Sequence, residues 1–243
     1  MKTRIDKLLV DRGLVPSRER AQAMIMAGKV LANEQKIDKP GTPVQTDVTI
    51  RLLGDDLRYV SRGGLKLEHA FQHWNIDVRG RVCMDVGAST GGFTDCLLQH
   101  GAARVIAVDT GHGQIDLRLR NDPRVRLLEN TNARYLRPED VAEPVELVVV
   151  DVSFISATLV LPAVIEAAGE RLSALIVLVK PQFEAGKDAV GKGGIVRDAA
   201  AQQAAVDKVT AALHAIEWPN TDVIDSPILG AEGNREFLLY ARR

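Results

Sequence analysis

Two rhythms of apolar and polar positions divide the chain. Before residue 60 the apolar positions are sparse, at helical spacing or in short runs. Ile5, Leu8 and Leu9, set among Arg4, Lys7 and Arg12, predict a short amphipathic helix stopped by Gly13. Pro16-Ser17 opens a second, with Ser17 as N-cap for Arg18 to Ala27 and Gly28 closing it. Val30 to Ala32, Gln35 to Ile37 and Val48 to Leu52 read as short strands, with turns at Asn33-Glu34 and Pro40-Gly41.

After residue 60 the apolar runs lengthen. Leu67, Ala70, Phe71 and Trp74 mark the core face of a helix, and Val82 to Val86, Arg104 to Val108 and Val125 to Glu129 read as strands. Glu146 to Val150 and Ala174 to Val179 are so continuously apolar that both faces must be covered, as in a parallel sheet between two layers of helices. An alanine-rich helix from Asp198 to Ala215 and a strand, loop and strand between Thr221 and Ala241 complete the pattern. The predicted architecture is α/β, a doubly wound, mostly parallel sheet preceded by a small α+β domain. Polar Asp55 to Val60 separates the two rhythms, which places a small domain at 1–56, a linker at 57–60 and the large domain at 61–243.

Composition narrows the class of protein. Basic and acidic residues balance at 31 and 32, so a polyanionic partner must be met by a local patch. Residues 1 to 60 carry such a patch, eleven basic residues against eight acidic. Arg4, Arg18, Arg20 and Lys29 there are candidates for phosphate contact, a solvated charged face being the alternative. The two cysteines, Cys83 and Cys96, have no spacing that suggests zinc or a disulfide framework, which fits a reduced cytoplasm. The charged start and the short apolar runs give neither a signal core nor a membrane span.

Chemistry enters at Asp85-Val86-Gly87-Ala88-Ser89-Thr90-Gly91-Gly92-Phe93, a strand breaking into a glycine turn before a helix. Such glycines let the backbone approach a bound molecule. The order Gly-x-x-x-Gly-Gly lacks the second glycine of the dinucleotide pattern, Ser89 standing in its place. Asp85 suits a ligand with a positive amino group better than a pyrophosphate, and S-adenosylmethionine is such a ligand. Asp109, ending the next strand, takes the position that holds ribose hydroxyls in nucleoside-binding folds, and Asn132 lies where an adenine loop is expected. A plain turn with two capping acids is the structural alternative.

Asp151 and Lys180 end two buried strands on the same sheet edge, Lys66 sits at a helix start, and Glu236 opens the last strand. A ribose hydroxyl is too weak an acid to attack a methyl donor unaided, so a base is needed. A lysine must be desolvated or set beside another cation to serve, and Lys66 is the candidate second cation for Lys180. Asp151 then orients the amine and Glu236 balances Lys66. Gly186 to Gly193 mimics a phosphate loop without its hydroxyl residue; it reads as a lid whose Lys187, Lys192 and Arg197 meet an anionic substrate, or as a merely mobile loop. His69 and His73 have a chelating spacing but no third ligand nearby, so no metal is expected.

The motifs carry a resemblance. Arg4 to Leu9, Ser17 to Ala21, Ile25, Gly28 to Val30 and Asn33 resemble the alpha-L RNA-binding domain, with Glu34 in place of its usual glycine. Lys66, Asp151, Lys180 and Glu236 match the Lys-Asp-Lys-Glu set of the FtsJ-related ribose 2′-O-methyltransferases. Ser61 to Leu67, Asp85 to Phe93, Val150 to Ser156, Lys180 to Glu184 and Gly233 to Glu236 resemble the haemolysin A (TlyA) family along nearly the whole chain. The resemblance implies an S-adenosylmethionine-dependent enzyme that methylates a cytidine 2′-hydroxyl in ribosomal RNA. The short ends resemble forms that act on the large subunit. Asp85, Gly87, Ala88, Ser89, Gly91, Gly92, Phe93, Asp109 and Asn132 would hold the cofactor, and Arg62 would join the RNA-binding cations. That family usually has tryptophan where Tyr59 stands. The competing readings are a pore-forming haemolysin, which needs a membrane-active segment, a non-catalytic ribosome-assembly factor, which has no use for the four charged residues, and a small-molecule methyltransferase, which has none for the N-terminal module.

Overall fold

The computed structural model describes residues 2–15, 17–53, 58–230 and 233–243, with every side chain except that of Lys187. Pro16 and the stretch Asp55 to Leu57 of the expected boundary lie outside these residues. The chain divides into two units, Met1–Asp56 and Leu57–Arg243.

The first unit runs β1 (Lys2–Arg4), α1 (Ile5–Asp11), α2 (Arg18–Met26), β2 (Val30–Ala32), β3 (Gln35–Ile37), β4 (Pro43–Gln45) and β5 (Ile50–Leu52). Ser17 caps α2, its Oγ accepting from the Arg20 N–H at 3.2 Å, and Gly28 leaves the helix at φ +66°. The turn between β2 and β3 places Asn33 and Glu34 both at positive φ, as a two-residue hairpin requires. Glu34 accepts the strain that glycine would avoid, and its carboxylate pairs with Arg51 on β5. The pairing of β1 with β4 was not legible, because three-residue strands leave no alternation to read. Ile5, Leu9, Ile25 and Val30 fill the core.

The second unit runs α3 (Gly63–Trp74), β6 (Val82–Val86), α4 (Gly92–Gln99), β7 (Arg104–Val108), α5 (Leu117–Arg120), β8 (Val125–Leu128), α6 (Pro138–Val141), β9 (Leu147–Val150), α7 (Leu161–Ala168), β10 (Ala174–Val179), α8 (Pro181–Glu184), α9 (Ala199–Ala215), β11 (Asn220–Asp225) and β12 (Phe237–Arg242). The sheet order is β11-β12-β10-β9-β6-β7-β8, with β6 to β10 parallel and β12 antiparallel to both β10 and β11. Alternate residues of the strands feed two cores, Met84, Val148 and Val177 facing α7 and α9, and Cys83, Val149 and Ile176 facing α3 and α4. The predicted doubly wound sheet is therefore present. The chain leaves β6 toward β7 and β8, then crosses back to β9, so the switch point lies between β6 and β9.

Residues 58–60, expected as linker, are packed into this unit. Tyr59 is buried against Gly64, Arg58 pairs with Glu68, and the Val60 N–H donates to Asp95 at 2.7 Å. Both cysteines are buried and free.

Candidate active site

The glycine turn follows β6 at the switch point, and its glycines serve close packing within the chain. Gly87, at φ +89°, lies so near the end of β9 that a Cβ would overlap the Asp151 carbonyl. A Cβ on Gly91 would meet Leu119, and one on Gly92 would meet Ser61. These close contacts seat the loop on its neighbours and leave the Gly87 to Thr90 stretch as an open wall.

Two cavities open on that wall. One, of about 240 Å³, is lined by Ser61, Arg62, Lys66, Phe93 and Asp151 among others. The second, of about 280 Å³, is lined by Asp109, Gln114, Asn132, Phe154 and apolar Val108 and Ile155. Gly87, Ser89 and Asp151 belong to both. Ala88 and Gly92 line the first, whereas Gly91 and Asp85 line neither.

Asp85, expected to suit a ligand's amine, is wholly buried beneath the turn. Thr94 on α4 donates to its Oδ2 at 2.6 Å, while Oδ1 has no hydrogen-bond partner. Burial pushes its carboxyl up to about 7, against the Thr94 hydrogen bond and with a further push from Asp151. Asp109 accepts from the N–H groups of Ser89 and Gly111, both at 2.7 Å, tying the glycine turn to the turn after β7. Asn132 caps a short 3-10 turn, accepting from the Arg134 N–H at 3.0 Å.

The four expected catalytic residues form two ion pairs. Lys66 Nζ lies 2.5 Å from Glu236 Oε2, with both side chains at most one-tenth exposed. Gly230 passes so close over Glu236 that any side chain there would collide with the carboxylate. Lys180 Nζ lies 2.6 Å from Asp151 Oδ1 and donates an aligned hydrogen bond to Ser153 Oγ at 2.8 Å. The contact with Asp151 is charge pairing without hydrogen-bond alignment. Each lysine thus has its own carboxylate, Glu236 beside Lys66 and Asp151 beside Lys180, the pairing that the sequence reading expected.

Phe154 was missed as a site residue. It sits at φ +65° and is 91 % exposed on the second cavity, an arrangement that no sequence pattern announces. Of the expected RNA-binding cations, Arg62 is exposed on the first cavity, while Lys192 and Arg197 are exposed outside both; the side chain of Lys187 lies outside those described. Buried Asn234 fixes the end of the glycine-lysine loop, donating to Gly194 O at 3.0 Å and accepting from the Val196 N–H at 3.1 Å.

In the first unit, Arg4 and Arg18 converge on Asp6, a fully buried carboxylate also missed in the sequence. Arg4 donates twice, at 3.0 and 2.9 Å, Arg18 once at 3.0 Å and Gln22 once at 3.2 Å. These bonds, Arg4's first, hold the carboxyl far below its usual range, while both guanidiniums stay about half exposed. Arg20 is partly exposed and Lys29 is exposed. Among the described residues no helix is long and apolar enough to cross a membrane, and no group of three or more metal-ligating side chains occurs.

Known proteins bear this architecture. Residues 59–243 match the FtsJ-like methyltransferase family and residues 3–50 the S4 domain. The 16S/23S rRNA (cytidine-2′-O)-methyltransferase TlyA of Mycobacterium tuberculosis is 46% identical over 242 residues, 99% of this chain and 90% of that one. Hemolysin A of Brachyspira hyodysenteriae is 39% identical over 98% of both chains. A solved structure of a candidate hemolysin from Streptococcus thermophilus superposes with a TM-score of 0.75 at 42% identity, covering 100% of this chain and 88% of the other. The chain belongs to the FtsJ-like methyltransferases, in the TlyA/hemolysin family with an S4 domain in front.

Proposed function

We propose that the protein transfers a methyl group from S-adenosyl-L-methionine to the 2′-hydroxyl of a cytidine ribose in ribosomal RNA, work done in the cytoplasm, with large-subunit RNA the favoured substrate. The observation that carries the reading is the Lys180 amine, held 2.6 Å from an acid that lines both cavities at the switch point.

The residues present fit the cofactor. Asp109, Asn132 and Gln114 give the second cavity polar edges against the apolar Val108, Ala133 and Ile155, as a nucleoside needs. Gly87 to Ser89 form the shared wall along which a methionine portion would run toward the first cavity. When bound, S-adenosylmethionine supplies an electrophilic methyl on a sulfonium. Asp151 and Ser153 fix the Lys180 amine. In its neutral form that amine takes the proton of the attacking 2′-hydroxyl and passes it to solvent. Lys66, kept in place by buried Glu236, presents a positive charge to the first cavity and so favours the developing alkoxide. Arg62 on the rim and the Arg4 and Arg18 pair of the S4 domain meet phosphates, with Arg20, Lys29, Lys192 and Arg197 as further contacts.

Lys180→Ala tests this directly. Transfer to rRNA should fall by about 10³-fold, within the range for loss of a general base, while S-adenosylhomocysteine binds with unchanged affinity in calorimetry. Near-normal transfer by the variant removes Lys180 from the chemistry.

A further inference from the structure

Beyond the sheet, the chain segments that follow β9 and β10 run side by side and are fastened at successive points. Lys180 holds Asp151 and Ser153 at one end. Phe183 meets Phe154 in the middle, ring centres 5.3 Å apart. At the other end Glu184, its side chain only 2 % exposed, accepts from Ser156 Oγ at 2.5 Å and from the Ala157 N–H at 2.6 Å. Lys208 of α9 closes this end from outside, 3.0 Å from Glu184 Oε2 and donating to Glu184 O at 3.0 Å and Ser156 Oγ at 3.3 Å.

Phe154 lies between these fastenings in the left-handed region, which costs a non-glycine residue about 1–2 kcal/mol. Such a conformation persists where the flanks over-determine it. Ser153 is held by Lys180 on one side, and Ser156 and Ala157 by Glu184 on the other. A carboxylate this buried would be costly if its only task were to join two surface loops. Two of its three partners, Ser156 and Ala157, belong to the segment that carries Asp151 and Phe154 into the cavities, and the third, Lys208, also donates to Ser156.

We propose that Glu184, braced by Lys208, is a positioning residue for methyl transfer, fixing residues 151–157 so that Asp151 faces the Lys180 amine and Phe154 stays displayed at the second cavity. The inference rests on the methyl-transfer reading for its kinetic consequence but not for its structural one. Glu184 touches neither cavity, so its loss should act on turnover through geometry, where small misplacements cost about tenfold or more.

Two variants test it, Glu184→Gln, which keeps shape and removes charge, and Lys208→Met, at a half-exposed side chain. Each should lower kcat at saturating rRNA about tenfold, with KM for rRNA and S-adenosylhomocysteine affinity within about twofold, and Lys208→Arg should restore kcat to within about twofold. Hydrogen exchange at residues 151–157 should accelerate about tenfold in both Glu184→Gln and Lys208→Met whether or not transfer is detected. That readout separates failure of the positioning role from failure of the methyl-transfer reading. Unchanged exchange there, unchanged kcat in both variants, or a fall in cofactor affinity as large as the fall in kcat overturns the proposal.

Discussion

Asp6 in the first unit and Glu236 in the second are both almost wholly buried carboxylates holding basic side chains, and they differ in what those side chains still show to solvent. Asp6 grips the inner edges of Arg4 and Arg18 and leaves about half of each exposed, so the cluster carries net positive charge on a surface. Glu236 encloses Lys66, leaving a tenth of its side chain open, and that opening lies on a cavity. The same pairing chemistry thus yields a surface suited to phosphates in one place and a fixed charge beside a reacting group in the other. Ion pairing alone does not tell binding from catalysis; the exposure of the cation does.

The comparison breaks most visibly at Glu236. Glu236→Gln strands the Lys66 ammonium in a buried site and should destabilise the second unit by about 3–5 kcal/mol in denaturant unfolding, with loss of transfer. Replacing both partners, Lys66→Met with Glu236→Leu, should recover most of that stability, since an apolar pair suits a buried site, yet leave transfer abolished. Recovery of transfer in the double variant would make the pair structural only.

Asp6→Asn should lower rRNA affinity about tenfold, because Arg4 and Arg18 lose the anchor that keeps them together, and leave S-adenosylhomocysteine affinity unchanged. The folded carboxyl is depressed, so its contribution to stability is present above the ordinary carboxylate range and is lost as pH falls through and below it. Acid unfolding of the first unit should therefore be less steep in Asp6→Asn, and an equal drop in rRNA and cofactor affinity would show general damage instead.

At Asp85 the effect is read in the pH dependence. Its carboxyl is raised to about 7 by burial, so the folded protein keeps a proton that the unfolded chain has released. The resulting destabilisation is absent near pH 4, grows as pH rises and is complete above 7, on the order of 4 kcal/mol. Asp85→Asn retains an acceptor for Thr94 and should flatten the decline of the melting temperature between pH 4 and 7. A variant with the wild-type slope would assign that decline elsewhere.

How much of this was legible depends on whether the signal is local. The buried strands β9 and β10 announce themselves because no polar residue interrupts them, and the glycine turn because its spacing is constrained by backbone geometry. Lys66 and Glu236 lie 170 residues apart, yet their pairing, like that of Lys180 with Asp151, could be proposed because the sheet topology brings strand ends to one edge, whereas the distances and burial could not be read. The burial of Asp85 was not legible, because sequence shows charge and not exposure. Tyr59 looked like linker because its polar neighbours hide the contact with Gly64 that buries it. Phe154 depends on a single backbone angle set by residues of the neighbouring 180–184 segment.

The most direct measurement is to incubate the protein with methyl-labelled S-adenosylmethionine and unmodified small and large ribosomal subunits, then locate the label by mass spectrometry of nuclease fragments. The account predicts a single added methyl on the 2′-oxygen of a cytidine ribose, absent with Lys180→Ala. A methyl carried on a base, or no label on the RNA of either subunit, would contradict it.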